Sequence, residues 1–286
     1  MKISVVIPVL NEEKYIEQCI QSILNNTVLP MEILICDGGS IDKTKEIAKE
    51  FSLVTILDNI DKTAASGRNI GIKHASGNII AFTDGDCYVD KNWIEQMIVN
   101  FTERSIDGLR GKIIPAAPEN KYEDFWNDLA WNVLMNFGDK PHTILTKNIR
   151  HCLVTANCAY KREVLHNLNG FDAWFGNNAE DTDLSWRAID KQLYLHYDPS
   201  VKVITHGVTT LKGIRKKSFR NGISSSKLQK RHGTKINFDP LIYKLWWVNF
   251  IGLFKRTQNS GLNLMQLTWH LFGKYYGSIK AKVVNI

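Results

Sequence analysis

The segment Phe82-Thr83-Asp84-Gly85-Asp86-Cys87 ends an apolar run with two carboxylates two residues apart. Gly85 lets the backbone turn, so both carboxylates can face the open end of a strand. Hard divalent cations take such oxygens. Mg²⁺ in particular binds through one or two carboxylates plus substrate phosphates. Asp-Gly is also a common turn dipeptide, so the segment alone leaves both readings open. A second acidic cluster, Asn178-Ala179-Glu180-Asp181-Thr182-Asp183-Leu184-Ser185-Trp186-Arg187, opens a helical pattern. Acids in a first turn gain from the helix dipole, which is a purely structural use for them. However, Gly170-Phe171-Asp172 and Gly176 make the preceding stretch a glycine-punctuated loop, a setting in which catalytic carboxylates often sit. A carboxylate there could act as general base on a hydroxyl. Two further signals close apolar runs: Asp37-Gly38-Gly39-Ser40, and His206 after Val201-Lys202-Val203-Ile204-Thr205.

These residues need elements to position them. Residues 3–7 read as a buried strand ended by Pro8. Residues 13–25 place Ile16, Cys19, Ile20, Ile23 and Leu24 on one helical face. Strands follow at 32–36, 53–57 and 78–82, with helices from Thr44 to Phe51 and over 64–75. This alternation predicts an α/β fold with a mostly parallel, doubly wound sheet and helices on both faces. Such sheets bind ligands at the carboxyl ends of their strands, where Asp37, Asp84 and Asp86 fall. The second half is less regular. Helices are expected over 91–102, 121–137 and 180–190, a strand over 109–114, a short strand and a helix within 152–168, and two strands over 193–204. From 211 onward the pattern is helical.

Charge divides the chain. Residues 1–204 carry 21 Lys and Arg against 28 Asp and Glu, a net of −7, whereas residues 205–286 carry 15 against Asp239 alone, a net of +14. An acidic body therefore bears a basic tail. A composition of 44% hydrophobic and 23% charged residues excludes disordered and fibrous classes. The five cysteines form no C-x-x-C pair, so neither a disulfide framework nor a zinc knuckle is indicated, and a reducing, cytoplasmic setting is expected. The N-terminal apolar run is too short for a secretory signal, and no stretch of about 20 apolar residues is present to span a membrane. G-x-G-x-x-G after the first strand, G-x-x-x-x-G-K-[ST] and G-x-S-x-G are all absent. Dinucleotide dehydrogenases, P-loop NTPases and α/β-hydrolases are thereby disfavoured.

Taken in order, five blocks resemble family 2 glycosyltransferases of the GT-A fold. They are Val5-Val6-Ile7-Pro8-Val9-Leu10-Asn11-Glu12-Glu13; Glu32 to Thr44 around Asp37-Gly38-Gly39-Ser40; Ser66-Gly67-Arg68-Asn69-Ile70-Gly71; Phe82 to Asp86, matching D-x-D; and Gly170-Phe171-Asp172 followed by Glu180 to Arg187. The resemblance covers residues 3 to about 190 and implies roles. Pro8, Asn11 and Glu12 would shape the nucleotide pocket. Asp37 would bind the base, and Arg68 would approach the base or phosphates. Asp84 would lie near ribose and metal, and Asp86 would ligate a Mg²⁺ or Mn²⁺ ion bridging the diphosphate. Asp181 would be the general base, supported by Glu180, and His206 would reach the metal or diphosphate, with a surface or core histidine as the open alternative. The implied activity is inverting transfer of a sugar from a nucleotide-diphosphate donor, preferably a UDP-sugar, to an acceptor hydroxyl. Two departures stand out: Asn169-Gly170 replaces the usual glycine pair, and Gly38-Gly39 replaces Asp-Gly. Lys62 could also reach the phosphates, but a solvated lysine is the favoured reading.

The expected organisation is a catalytic domain over 1–206, with a nucleotide-sugar half to about 115 and an acceptor half from about 116, and a basic, aromatic-rich helical extension over 207–286. Lys212, Arg215, Lys216, Lys217 and Arg220 could close over the diphosphate or form a solvated face. Residues 245–254 are uncharged and bracketed by Lys244 and Lys255-Arg256. Ten residues cannot cross a core of about 30 Å. Trp and Phe beside Lys and Arg suit a membrane interface, and packing on the catalytic body is the alternative. Peripheral contact with an anionic cytoplasmic membrane and a lipid-linked or cell-surface glycan acceptor are therefore expected. Two other classes compete. A sugar nucleotidyltransferase would want a glycine-rich basic loop after strand one, where Pro8 to Glu13 is acidic and lacks glycine. A nucleic-acid-binding module is suggested by the tail alone, against an acidic body.

Overall fold

A computed structural model describes residues 1–130, 137–147, 152–233, 240–255 and 259–281. Two compact units emerge: Met1–Ala116 with Leu134–His206, and Ala117–Val133 with Gly207–Ile286.

In the first unit the β-branched runs become β1 (Ile3–Val9), β2 (Glu32–Asp37), β3 (Val54–Asp58) and β4 (Ile79–Phe82). Between them lie α1 (Ile16–Leu24), α2 (Thr44–Lys49) and α3 (Ala64–His74). These four strands pair in parallel in the order β3-β2-β1-β4, because the helix between each strand and the next carries the chain back to the sheet's starting edge. The sheet continues through β5 (Cys87–Val89), β6 (Gly108–Pro115), β7 (His142–Ile144), β8 (Cys158–Lys161) and β9 (Leu195–Thr205). The full order is β3-β2-β1-β4-β8-β6-β9-β5, with β7 on β9. β6 and β9 are parallel, while β8, β5 and β7 join antiparallel. Further helices of this unit are α4 (Trp93–Glu103), α6 (Arg162–Asn167) and α7 (Glu180–Asp190).

Helices cover both faces, giving two apolar clusters. One joins the sheet residues Val5, Ile7 and Ile35 to Ile16, Ile20 and Ile23 of α1 and to Trp93 and Met97 of α4. The other joins Val6, Leu34 and Phe82 to Ile72 of α3 and Leu184 of α7. Strand alternation makes this split: neighbouring residues such as Val5 and Val6 point to opposite faces. α3 lies especially close to β1, since a Cβ at Gly71 would fall 2.3 Å from Val6.

Two local expectations are corrected, and two short strands are unexpected. Pro8 lies inside β1, paired with Cys36, because its fixed φ is compatible with extended backbone. Residues 195–205 form one strand with a bulge rather than two strands: Gly111 pairs with Asp198 but Lys112 with Lys202. The buried Asn157 amide donates to the carbonyls of Lys112 and Val201 and so fills the interruption. β5 and β7, at three residues each, are too short for periodicity to mark.

The second unit holds α5 (Lys121–Ala130), α8 (Leu211–His232), α9 (Pro240–Phe254) and α10 (Ser260–Ala281). Phe125, Trp126 and Ile214 form its core with Tyr122, Leu129, Leu262 and Met265. Val133 and Met135, expected on the helix over 121–137, lie outside the described residues. α8 and α10 approach backbone to backbone: a Cβ at Gly222 would meet the His270 carbonyl at 2.1 Å. Among the described residues no helix is long and apolar enough to cross a membrane.

Candidate active site

The carboxyl edge of β1, β2 and β4 gathers the acidic residues. After β1, Asn11 takes a left-handed backbone conformation with φ 58°. Its backbone N–H donates to the Ser40 hydroxyl at 2.9 Å, and its side-chain oxygen accepts from Ile41 N at 2.9 Å. Asn11 thus laces the β1 and β2 turns together. Asp37 is buried and spends its carboxylate on the same turn, accepting from the backbone N–H groups of Gly39 and Ser40 at 3.0 and 3.1 Å. Pro8 packs behind them, within reach of α3 at Gly67. Lys62 is exposed, with its ammonium near Gly39.

After β4, one ligating atom each from Asp84, Asp86 and Cys87 lie within 4.8 Å of one another. Glu12 faces this group. Burial first, then the charges of Asp86, Asp84 and Asp42, push its carboxyl up to about 8. Such mutual repulsion among hard oxygens is what a divalent cation relieves, so the donor set fits one. Asp84 and Asp86 would hold it. Cys87 would not, because burial and then the same two aspartates push its thiol well above the ordinary range, leaving a neutral, soft donor. His206 lies outside this convergent set. Its backbone N–H is 3.4 Å from the Asp86 carbonyl, and its ring stacks on Tyr15 with centroids 4.4 Å apart, with Tyr88 on another side at 6.1 Å.

The second acidic cluster joins the first through one side chain. Arg68, on α3, is 3% exposed. Its Nη2 donates to Asp84 Oδ1 at 2.8 Å and its Nη1 to Glu180 Oε1 at 2.6 Å. Burial alone would lower the guanidinium's pKa, but the charges of Asp84, Glu180 and Asp181 reverse this and raise it. Glu180 is itself buried, and burial pushes it up to about 7 despite Arg68. Asp181, next along α7, is only half-buried. Burial raises its pKa too, opposed by Arg68 and by hydrogen bonds from the backbone N–H groups of Thr182 and Thr155. Its Oδ1 accepts the Thr182 N–H at 2.7 Å. The more accessible of the two acids is therefore Asp181, held in a fixed rotamer beside a buried Glu180–Arg68 pair.

The loop before α7 is fixed by residues whose motif positions do not betray their job. Asn69, beside Arg68, donates to the Phe171 carbonyl at 2.7 Å and accepts from the Phe171 N–H at 2.8 Å. Arg187 donates to Asp183 at 2.7 Å and to the Gly170 carbonyl at 2.8 Å. Ala65 N donates to the Gly176 carbonyl at 3.1 Å, and Ala64 N to the Asn177 side chain at 2.6 Å. In the acidic block, then, Glu180 and Asp181 face the site while Asp183 and Arg187 brace the turn behind it. Tyr15, Tyr88 and Thr155 complete the surroundings. Nothing in their spacing singles them out, because each arrives through the fold.

A parallel β3-β2-β1-β4 half-sheet whose carboxyl edge collects a D-x-D pair and a buried arginine–carboxylate bridge has the architecture of a GT-A nucleotide-sugar transferase. The profile of glycosyl transferase family 2 matches residues 4–168, and the chain belongs to that family. Glycosyltransferase AglE of Haloferax volcanii is 33% identical over 137 residues, 44% of this chain and 45% of that protein. UDP-Glc:alpha-D-GlcNAc-diphosphoundecaprenol beta-1,3-glucosyltransferase WfgD of Escherichia coli is 34% identical over 112 residues, 38% of this chain and 44% of that protein. Each match spans less than half the length of the curated relative. The crystal structure of S. aureus TarS in complex with UDP shares the fold, with a TM-score of 0.59 at 16% identity, covering 96% of this chain and 91% of that one.

Proposed function

We propose that the chain is an inverting glycosyltransferase that moves a sugar from a nucleotide-diphosphate donor, a UDP-sugar by preference, to an acceptor hydroxyl. The observation that carries this reading is Arg68, whose one guanidinium bridges Asp84 of the D-x-D pair and Glu180, the neighbour of Asp181. A bound Mg²⁺ or Mn²⁺ ion would supply charge neutralisation at the diphosphate leaving group. Pro8, Asn11, Glu12 and Asp37 line the turns on which the nucleoside would lie. Asp181 takes the proton from the acceptor hydroxyl, whose oxygen bonds to the anomeric carbon as the bond to the diphosphate breaks on the opposite face. One displacement needs no enzyme nucleophile and inverts the anomeric centre. Glu180, tied to Arg68, orients the first turn of α7. His206 stacks on Tyr15 beside Asp86 and would border the diphosphate.

Residues 1–206 form the catalytic domain in this reading, and 207–286 an extension that brings it to a membrane-linked glycan acceptor at the cytoplasmic face. The diphosphoundecaprenol-linked acceptor in the name of the WfgD relative supports that class of acceptor. A thermal-shift screen of UDP-, GDP- and dTDP-sugars with and without Mn²⁺ tests the reading. A UDP-sugar should raise the melting temperature only with the cation, since a ligand stabilises by binding the folded state. Absence of a shift with every nucleotide sugar would remove the proposal.

A further inference from the structure

We infer that α9 and α10 form an in-plane docking surface for an anionic lipid bilayer. On α9, Trp247, Val248, Ile251 and Phe254 follow one another at helical spacing and stand exposed, Phe254 at 78%. Lys244 and Lys255 continue the same stripe at its two ends. On α10, Trp269, Phe272, Tyr276 and Ile279 form a second exposed stripe, with Ile279 at 78% and Lys280 beside it. The two helices pack on each other, with Trp246 Nε1 donating to the Thr268 hydroxyl at 2.9 Å, so the stripes belong to one hairpin. Scattered exposed apolar residues need no explanation, but two such stripes on adjoining helices mark a docking surface.

Charge selects the occupant. α8, α9 and α10 contain no acidic residue, and residues 205–286 carry 15 Lys and Arg against Asp239. A second copy of the chain would set this basic face against itself, and like charges brought together oppose association. A bilayer of anionic lipid answers both features at once: apolar side chains enter the acyl boundary while lysines meet headgroups. Trp, Tyr and Phe beside Lys are the residues that favour that boundary. No described helix can cross, so the hairpin lies in the interface plane. The inference deepens the membrane-linked acceptor proposed above, but the binding is measured without donor and stands or falls separately.

The test is co-flotation of the full chain with vesicles of phosphatidylcholine, alone or mixed equally with phosphatidylglycerol, at low salt. Partition onto the anionic vesicles should be about tenfold or more above the zwitterionic ones, and tryptophan emission should be quenched by brominated acyl chains. The triple variant Trp247→Ser, Ile251→Ser, Phe254→Ser should lose about tenfold in partition while its nucleotide-sugar thermal shift is unchanged. If that variant does not fold, quenching in the unaltered chain decides alone. No enrichment on anionic vesicles, or enrichment without quenching, overturns the inference. So does a dimer in light scattering that the triple variant disperses.

Discussion

Arg68 donates from Nη1 to Glu180 Oε1 at 2.6 Å, across 112 positions of sequence. Its other amino group holds Asp84 Oδ1 at 2.8 Å. The same guanidinium therefore spans the carboxylates at the end of β4 and those at the start of α7. Among the described residues, Arg68 Nε and Glu180 Oε2 have no hydrogen-bond partner. The bridge thus retains one donor and one acceptor, and unmet buried groups of this kind raise the cost of any change that leaves more of them unpaired.

Replacing Arg68 with Met should be severe in two ways. It leaves a buried Glu180 without its cation, and breaking a buried pair from one side costs about 3–5 kcal/mol. Urea unfolding should show this loss, and activity should vanish. Arg68→Lys keeps the charge but not the two-pronged geometry, so it should recover stability more than turnover.

Asp181→Asn removes the proton acceptor and keeps the shape. Turnover should fall by about 10²–10⁴-fold, the usual range for general base catalysis. Binding of the nucleotide sugar, read by thermal shift, should stay near that of the unaltered chain. Near-normal turnover would exclude Asp181 as the base.

The pH dependence has opposite signs for activity and stability. Glu180 is pushed up to about 7 from an ordinary value of 4.5, by burial first. The fold therefore favours its protonated form. Its contribution to stability is full below the ordinary value and is lost as pH rises through about 7. Activity needs the ionised acids of α7, so kcat/KM should climb over the same interval. Comparing urea midpoints from about pH 5 to 8 for the unaltered chain and Glu180→Gln isolates the stability part, which should be flatter in the variant.

Removing the cation or its proposed ligand should act on the donor. Asp86→Ala, or chelation of the unaltered chain, should weaken nucleotide-sugar binding by about tenfold or more, because the charge of the diphosphate then lacks the cation that would neutralise it. Equal donor affinity with and without divalent cation, by calorimetry, would contradict this.

Asn69→Ala tests the brace behind the site. It deletes both hydrogen bonds to the Phe171 backbone, worth about 1 kcal/mol each. Stability should fall by about 2 kcal/mol by urea titration. Turnover should fall more than donor affinity, since the loop leading to α7 is what loosens.

The order of residues alone specified the repeated strand–helix rhythm, both carboxylate pairs and the family. Apolar periodicity and the residues at strand ends are local properties, and Asp84-Gly85-Asp86 and Glu180-Asp181 lie close together in the chain. It marked Arg68 as a site residue but not its partners. Asp84 and Glu180 meet it because β4 and α7 converge on α3, a long-range contact that no spacing encodes. Likewise Asp37, expected to bind the base, also caps its own turn, and Asp183 with Arg187 braces the loop rather than facing the site. The tail shows the same division. Its +14 charge and aromatic content are plain in the sequence. Helix packing then set which side chains of α8, α9 and α10 are buried and which stay exposed, because burial is a property of neighbours and not of residue type.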